Sequence, residues 1–166
     1  MIDAIEKRAS VRSFTDEGVS DAEIDELMHA AMAAPSEGNQ MPWEYYVVED
    51  AAIRERLAAS SPYATCAANA PIVLVPCVRA DIPLPECAPM DMSAAIENIL
   101  LQATDLGLGA VWMAIAGYPE RVSAVSAALG LPEGLSPFAL VPVGHPASPV
   151  NARGMNRYDG TRIHRL

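Results

Sequence analysis

The chain has 166 residues, 51% of them hydrophobic and 19% charged, a size and balance that fit one folded domain spanning residues 1–166 and exclude a disordered chain. Its formal net charge of −10 argues against general binding to nucleic acid or to anionic membranes. Apolar stretches such as Ala70–Val78 are about half the roughly twenty residues that a membrane span requires, and Met1 leads into Asp3, Glu6, Lys7 and Arg8 with no apolar signal run, so a cytoplasmic location is expected.

Residues 2–8 read as a short helix with Ile2 and Ile5 turned inward. Ser20-Asp-Ala-Glu23 has the form of a capping box, in which the Ser20 hydroxyl accepts from the backbone of residue 23 and Glu23 reaches back. Ile24, Leu27, Met28, Ala31 and Met32 follow at helical spacing and stop before Pro35. The stretch Pro35–Pro42 is a polar turn, Trp43–Glu49 has strand composition, and Ala51–Ala59 is helical again. Pro71–Val78 reads as a buried strand with its proline at the start, where a missing N–H is tolerable. Residues 79–90 hold three prolines and are expected to form a connection. The clearest helix is Ser93–Leu106, with Ile96, Ile99, Leu100, Ala103 and Leu106 at spacings of three and four and Gly107 placed to end it. Ala110–Ala114 is read as a strand, Pro119–Leu129 as a helix stopped by Gly130, and Phe138–Val143 as a last strand before a polar tail that opens at Gly144. Helices and strands mix from end to end, which predicts an α/β or α+β domain.

The chemistry-bearing residues are few. Cys66, Cys77 and Cys87 form no CxxC pair, which fits structural thiols in a reducing compartment. His29, His145 and His164 have no metal-ligand spacing, so no metal site is expected. There is no GxSxG elbow and no Walker loop, and Gly107-Leu-Gly109 lacks the third glycine of a dinucleotide fingerprint. Chemistry is therefore expected from a bound cofactor rather than from a catalytic side chain.

The charge distribution points to where such a cofactor would sit. Of 11 Lys and Arg residues, Lys7, Arg8, Arg12, Arg153, Arg157, Arg162 and Arg165 lie near the two ends, and residues 13–152 carry four basic against 18 acidic residues. These end charges are either solvated tails or, folded together, one anion site in an acidic protein. Four stretches add to the second reading. Arg8-Ala9-Ser10-Val11-Arg12-Ser13-Phe14 places two guanidiniums and a hydroxyl at alternate positions in a turn, where all can face one phosphate. Ala34-Pro35-Ser36-Glu37-Gly38-Asn39-Gln40-Met41-Pro42-Trp43 is a polar turn, Gly107–Trp112 is rich in small residues that let backbone approach a planar ring, and Met155-Asn156-Arg157-Tyr158-Asp159 closes the set.

In this order the four stretches resemble the nitroreductase family of FMN-dependent oxidoreductases in its short form, nearly from end to end. The resemblance implies an α+β fold with a central mixed or antiparallel sheet flanked by helices, and an intertwined homodimer with two FMN sites at the subunit interface. It implies that Arg8, Ser10 and Arg157 hold the flavin phosphate and ribityl chain, with Ala9 contributing only its backbone and Arg153 as a secondary candidate. Arg12 matches a cation near the N1–C2 edge of the flavin, where it would stabilise the negative charge of the reduced ring. Pro35, Ser36 and Asn39 match a turn supplied by the partner subunit, and Leu108, Gly109, Ala110 and Val111 match a segment lying against the isoalloxazine ring. The sequence departs from the family at Asn39-Gln40-Met41-Pro42-Trp43, where Asn-x-Gln-Pro-Trp is usual. Met41 has no amide to hydrogen-bond a pyrimidine edge, and Gln40 could replace it only if the turn were re-aimed.

The activity so implied is transfer of hydride from NADH or NADPH to FMN, followed by reduction of a flat electrophilic acceptor such as a nitroaromatic or a quinone, with the two substrates using one site in turn. Two alternatives stand beside it: a non-catalytic flavin-binding or electron-transfer module, and a reductive dehalogenase-type member of the same family. The latter usually carries a longer lid than the short Arg79–Pro89 connection here.

Overall fold

The computed structural model describes residues 1–152 and 157–166. The chain begins with a short helix α1 (Asp3–Lys7), then α2 (Asp21–Met32), strand β1 (Trp43–Val48) and helix α3 (Ala51–Ala58). Strand β2 (Ile72–Arg79) leads to the long helix α4 (Ala88–Asp105) and to two short strands, β3 (Gly109–Ala110) and β4 (Met113–Ala114). Helix α5 (Pro119–Leu129) and strands β5 (Leu135–Pro137) and β6 (Ala139–Gly144) complete the sheet. The capping box forms as its sequence requires: the Ser20 hydroxyl accepts from the Glu23 N–H, and the Glu23 carboxylate accepts from the Ser20 N–H at 2.8 Å.

The sheet has six strands in the order β1-β2-β6-β3, with β5 beside β2 and β4 beside β6, and every strand pair is antiparallel. The fold is α+β, with helices on both faces. On one face Leu27 and Ala31 of α2 and Ile96, Ile99 and Ala103 of α4 pack on Ile72 and Leu74 of β2 and Val141 and Val143 of β6. On the other, Leu57 of α3 and Val125 of α5 pack on Val73, Val75 and Cys77 of β2 and Leu140 of β6. Covering both faces explains why β2 is an unbroken apolar run rather than an alternating one: each side chain meets a helix layer whichever way it points.

Two prolines inside the sheet set its interruptions. The pairings Ala110↔Val143 and Met113↔Leu140 belong to one continuous register, in which Val111 falls opposite Pro142. A proline has no N–H to offer the ladder, so the single strand expected at Ala110–Ala114 is divided into β3 and β4. Pro76 lies at a second break: the register along β2 shifts by one residue between Cys77↔Pro137 and Leu74↔Val141, a bulge at Phe138, whose N–H reaches the Pro76 carbonyl at 2.8 Å. The three-residue β5 was not expected from sequence, because Leu135-Ser-Pro137 is too short to show alternation. Helix α4 starts five residues earlier than its periodicity predicts. Pro89 is accommodated in the first turn, where no intrahelical N–H is needed, and the expected connection shrinks to residues 80–87.

The tail after Gly144 is also less open than its composition suggests. Thr15 N–H donates to the His145 carbonyl at 2.9 Å and Ala147 N–H to the Ser13 carbonyl at 3.0 Å, with a bridge between Phe14 and Pro146. Residues 145–147 are thereby fixed along the segment that follows Arg12.

Tyr45 carries a polar group that disagrees with its surroundings. The Tyr45 hydroxyl is buried between the two helix-facing clusters with no hydrogen-bond partner among the described residues, and burial holds its phenol well above the usual range. An unsatisfied buried hydroxyl costs about 1–3 kcal/mol. Tyr45→Phe is expected to raise stability by about 1 kcal/mol in urea unfolding, with an unchanged denaturant slope; a loss of stability would show that the hydroxyl has a partner.

Candidate functional site

The sheet brings the basic N-terminal segment onto β3. Ser10 bridges Ala110 in parallel, and Val11 N–H donates to the Ala110 carbonyl at 3.0 Å. Gly109 makes this approach possible. A Cβ built there would lie 2.7 Å from both Cβ and Cγ1 of Val11 and 2.8 Å from Cγ2, closer than real carbons approach, so only glycine admits Val11. With Val11 seated, residues 8–12 form one wall of a cleft of about 440 Å³, and Ser148–Asn151 and Arg157 form much of the rest. That volume lies within the usual range for small-molecule sites, roughly 300–1,000 Å³.

Arg8, Arg12 and Arg157 line this cleft together with Ala9 and Ser10, and among the described residues no Asp or Glu does. Three guanidiniums facing one volume in a chain of net charge −10 repel one another and attract an anion; a phosphate would satisfy them bidentately. Arg8 pairs with Glu97 of α4 at 3.5 Å, and Glu97 does not line the cleft. Arg12 also borders a second cleft of about 510 Å³ shared with Arg54 and Asn69. Arg54 is already committed to backbone carbonyls, those of Glu49 at 3.2 Å, Ala68 at 2.9 Å and Ala70. Arg12 makes no ion pair among the described residues. Its charge is felt at Cys66, whose thiol is pushed up by burial and pulled down by Arg12.

The predicted site residues therefore fall into separate groups. Arg8, Ala9, Ser10, Arg12 and Arg157 converge on the cleft. Leu108, Ala110 and Val111 bury their side chains in the cores, and Gly109 faces Val11, so this segment can meet a ring only with its backbone. Pro35, Ser36 and Asn39 do not line the cleft of their own chain. Arg153 lies outside the described residues, as do Met155 and Asn156. Ser13, Ser148 and Asn151 line the cleft without having been singled out from sequence; the signal for the last two was their place in the tail, which the pairing of residues 145–147 with 13–15 carries to Arg8.

Cys66, Cys77 and Cys87 form no disulfide, burial pushes the Cys77 thiol up to about 12, and no group of three or more metal-ligating side chains occurs among the described residues.

The Pro35–Pro42 turn has its own internal order. Gly38, Asn39 and Met41 all have positive φ, at 54°, 56° and 44°. A left-handed conformation costs roughly 1–2 kcal/mol for a residue such as Met, so the shape must be held from outside. The Ser36 hydroxyl accepts from Met41 N–H at 3.0 Å, and Gln40 turns inward, away from solvent, rather than taking the role of an amide at position 41.

Known proteins resemble this chain in fold and in sequence. The model of the Nitroreductase family matches residues 5–79 and 62–145. A protein of Archaeoglobus fulgidus with a provisional NADH dehydrogenase/NAD(P)H nitroreductase name is 37% identical over 164 residues, covering 95% of this chain and 92% of its own. An FMN-dependent nitroreductase from Clostridium difficile superposes with a TM-score of 0.90 at 25% identity, covering 99% and 98% of the two chains. A nitroreductase-like protein from Desulfovibrio desulfuricans, solved in complex with FMN, gives 0.78 at 32% identity over 87% and 85%. The chain belongs to the nitroreductase family.

The contact between Val11 and Gly109 is directly testable. Gly109→Ala is expected to cost about 1–3 kcal/mol through overpacking, measured by chemical unfolding. Paired with Val11→Gly, which removes all three opposing carbons, it should cost clearly less than the sum of the single changes; strict additivity would mean that the two residues do not press on each other.

Proposed function

We propose that this chain is an NAD(P)H-dependent FMN oxidoreductase, a single flavin-binding domain that works as an intertwined homodimer and reduces flat electrophilic acceptors such as nitroaromatics and quinones. The observation that carries the reading is the cleft where Arg8, Arg12, Arg157 and Ser10 meet with no carboxylate among the described lining residues, held by the bridge of Ser10 to Ala110. Its donor set fits the anionic end of a flavin mononucleotide: guanidiniums and hydroxyls for a terminal phosphate and polyol. No dinucleotide fingerprint is present to hold an adenosine half. The FMN-dependent name and the FMN complex of two structural relatives support the same cofactor.

Bound FMN would supply the redox chemistry, accepting a hydride equivalent from NADH or NADPH and passing two electrons to the acceptor in a separate half-reaction. The protein's part is binding and electrostatics. Arg8, Ser10 and Arg157 would hold the phosphate end, while the positive charge of Arg12 would favour the reduced state of the flavin. No side chain need give or take a proton for hydride transfer, so none is assigned as a catalytic acid or base. The connection at residues 80–87 is short, which favours an open site and ping-pong use of it by donor and acceptor over the lidded site of a dehalogenase-type relative. The turn bearing Pro35, Ser36 and Asn39 does not reach its own chain's cleft, consistent with its serving the flavin of the partner.

Heating the purified protein is expected to release FMN, identified by mass; FAD or no flavin would overturn the reading. Anaerobic NADH or NADPH should bleach the flavin band at about 450 nm, whereas a flavin that neither donor reduces would indicate a non-catalytic flavin module. Arg12→Ala should lower the midpoint potential by about 30–60 mV, the two-electron equivalent of one lost charge-assisted hydrogen bond, while FMN remains bound. For the shared site, Arg8→Ala and Asn39→Ala chains unfolded and refolded together should regain FMN at up to about a quarter of all sites, the statistical share for random pairing. No recovery in confirmed heterodimers would place both residues on the same flavin from one chain.

A further inference from the structure

Asp91 and Gln40 are two of the few buried polar residues among those described, 5% and 9% exposed, and neither lines either of the two clefts above. They face one another across three segments. Asp91 sits in the first turn of α4. One of its oxygens, Oδ1, accepts from the Glu37 N–H at 2.9 Å, and the other, Oδ2, accepts from Gln40 Nε2 at 2.7 Å. Gln40 Nε2 also donates to the Leu84 carbonyl at 3.0 Å, and Gln40 Oε1 accepts from the Leu84 N–H at 3.0 Å. Every oxygen of the pair is engaged, and so are both protons of the amide. The cluster ties the Pro35–Pro42 turn, the 80–87 connection and the start of α4 into one body.

What is tied is a shape the turn would not keep alone. Glu37 begins and Gln40 ends the run that contains the left-handed residues Gly38 and Asn39, and Met41 follows in the same conformation. Of these only glycine adopts positive φ without penalty. Pinning the backbone at Glu37 and the side chain at Gln40 fixes both ends of the left-handed run, and with them the outward faces of Ser36 and Asn39. The usual family order would place an amide at position 41. Here the amide is one residue earlier and buried, so this chain uses it to hold the turn and leaves Met41 on the outside.

We propose that Asp91 and Gln40 are positioning residues for the flavin of the opposite subunit: they act through the Pro35–Asn39 turn and never touch the cofactor. The inference rests on the reading that this turn serves the partner's site. It predicts that damage at Asp91 lowers FMN affinity in trans, leaving the potential of any FMN that binds unchanged, because Arg12 is untouched.

The experiment has two arms. In the first, FMN affinity is measured by fluorescence quenching for Asp91→Asn, Gln40→Glu and the double exchange. Each single change sets like groups against each other and should weaken FMN by at least about tenfold. In the double exchange the carboxylate moves to position 40, where it accepts from Leu84 N–H and from the amide now at position 91. The carbonyl of that amide accepts in turn from Glu37 N–H. Three of the four bonds return, so affinity should recover to within about threefold of the original, with the same midpoint potential throughout. Single variants that bind FMN like the parent, or a double variant worse than both, overturn the proposal. In the second arm, Arg8→Ala chains are refolded with Asp91→Ala chains, or with Asp91→Asn where the alanine variant does not fold, beside the Arg8→Ala and Asn39→Ala mixture. Recovery of FMN in both mixtures supports action in trans. Recovery with Asn39→Ala but not with the Asp91 variant assigns Asp91 to its own chain's stability and overturns this proposal alone. Failure of both overturns the shared-site reading, and this inference falls with it.

Discussion

The approach of Val11 to Gly109 is the contact on which the rest of the site depends. Removing one Cβ from β3 lets a branched side chain sit at a separation that two substituted residues could not reach. The backbone hydrogen bond from Val11 to Ala110 then closes at 3.0 Å. That docking turns a basic N-terminal turn, which would otherwise be solvated, into the wall of a cleft. It also brings Ser10 and the arginines to the edge of the sheet instead of leaving them in water, where each would be screened within about 8–10 Å.

An acidic protein that binds an anion must keep its own carboxylates out of the site and its few cations in it. The sequence separates the two along the chain, and the fold completes the separation in space. The tail is carried back along residues 13–15 so that Arg157 meets Arg8 and Arg12. Glu97, which pairs with Arg8 from α4, does not line the cleft. Clustered like charges raise the energy of the empty site, so part of the affinity for an anion is relief of that repulsion.

Helix α4 is the common support of both polar regions. Glu97 meets Arg8 near its middle, and Asp91 fastens the Pro35–Pro42 turn at its start. The apolar residues between and beyond them, among them Ile96, Ile99 and Ala103, are fully buried against the sheet and α2. Because close-packed interiors transmit displacement rather than absorb it, the cleft and the turn keep a fixed relation within each subunit. In an interwoven dimer this is the relation that would set one subunit's turn against the other's cleft.

Much of the architecture was determined by the sequence alone, because local physics dictates it. The capping box at Ser20, the helical spacing from Ile96 to Leu106, the left-handed stop at Gly130 and the apolar run of β2 each depend on neighbours within one or two turns of chain. The concentration of basic residues at the two ends was likewise legible, since charge segregation along the chain is read directly from the sequence. Tertiary structure decided what depends on partners far along the chain. Pro142 divides the strand at Val111 only because the register sets them opposite each other, and Gly109 is required by Val11, 98 positions earlier. Gln40 is an amide next to an expected amide position; only the presence of Asp91, 51 residues on, turns it inward. A residue's type limits the bonds it can make, but which of them form is decided by what the fold places within hydrogen-bonding reach of it.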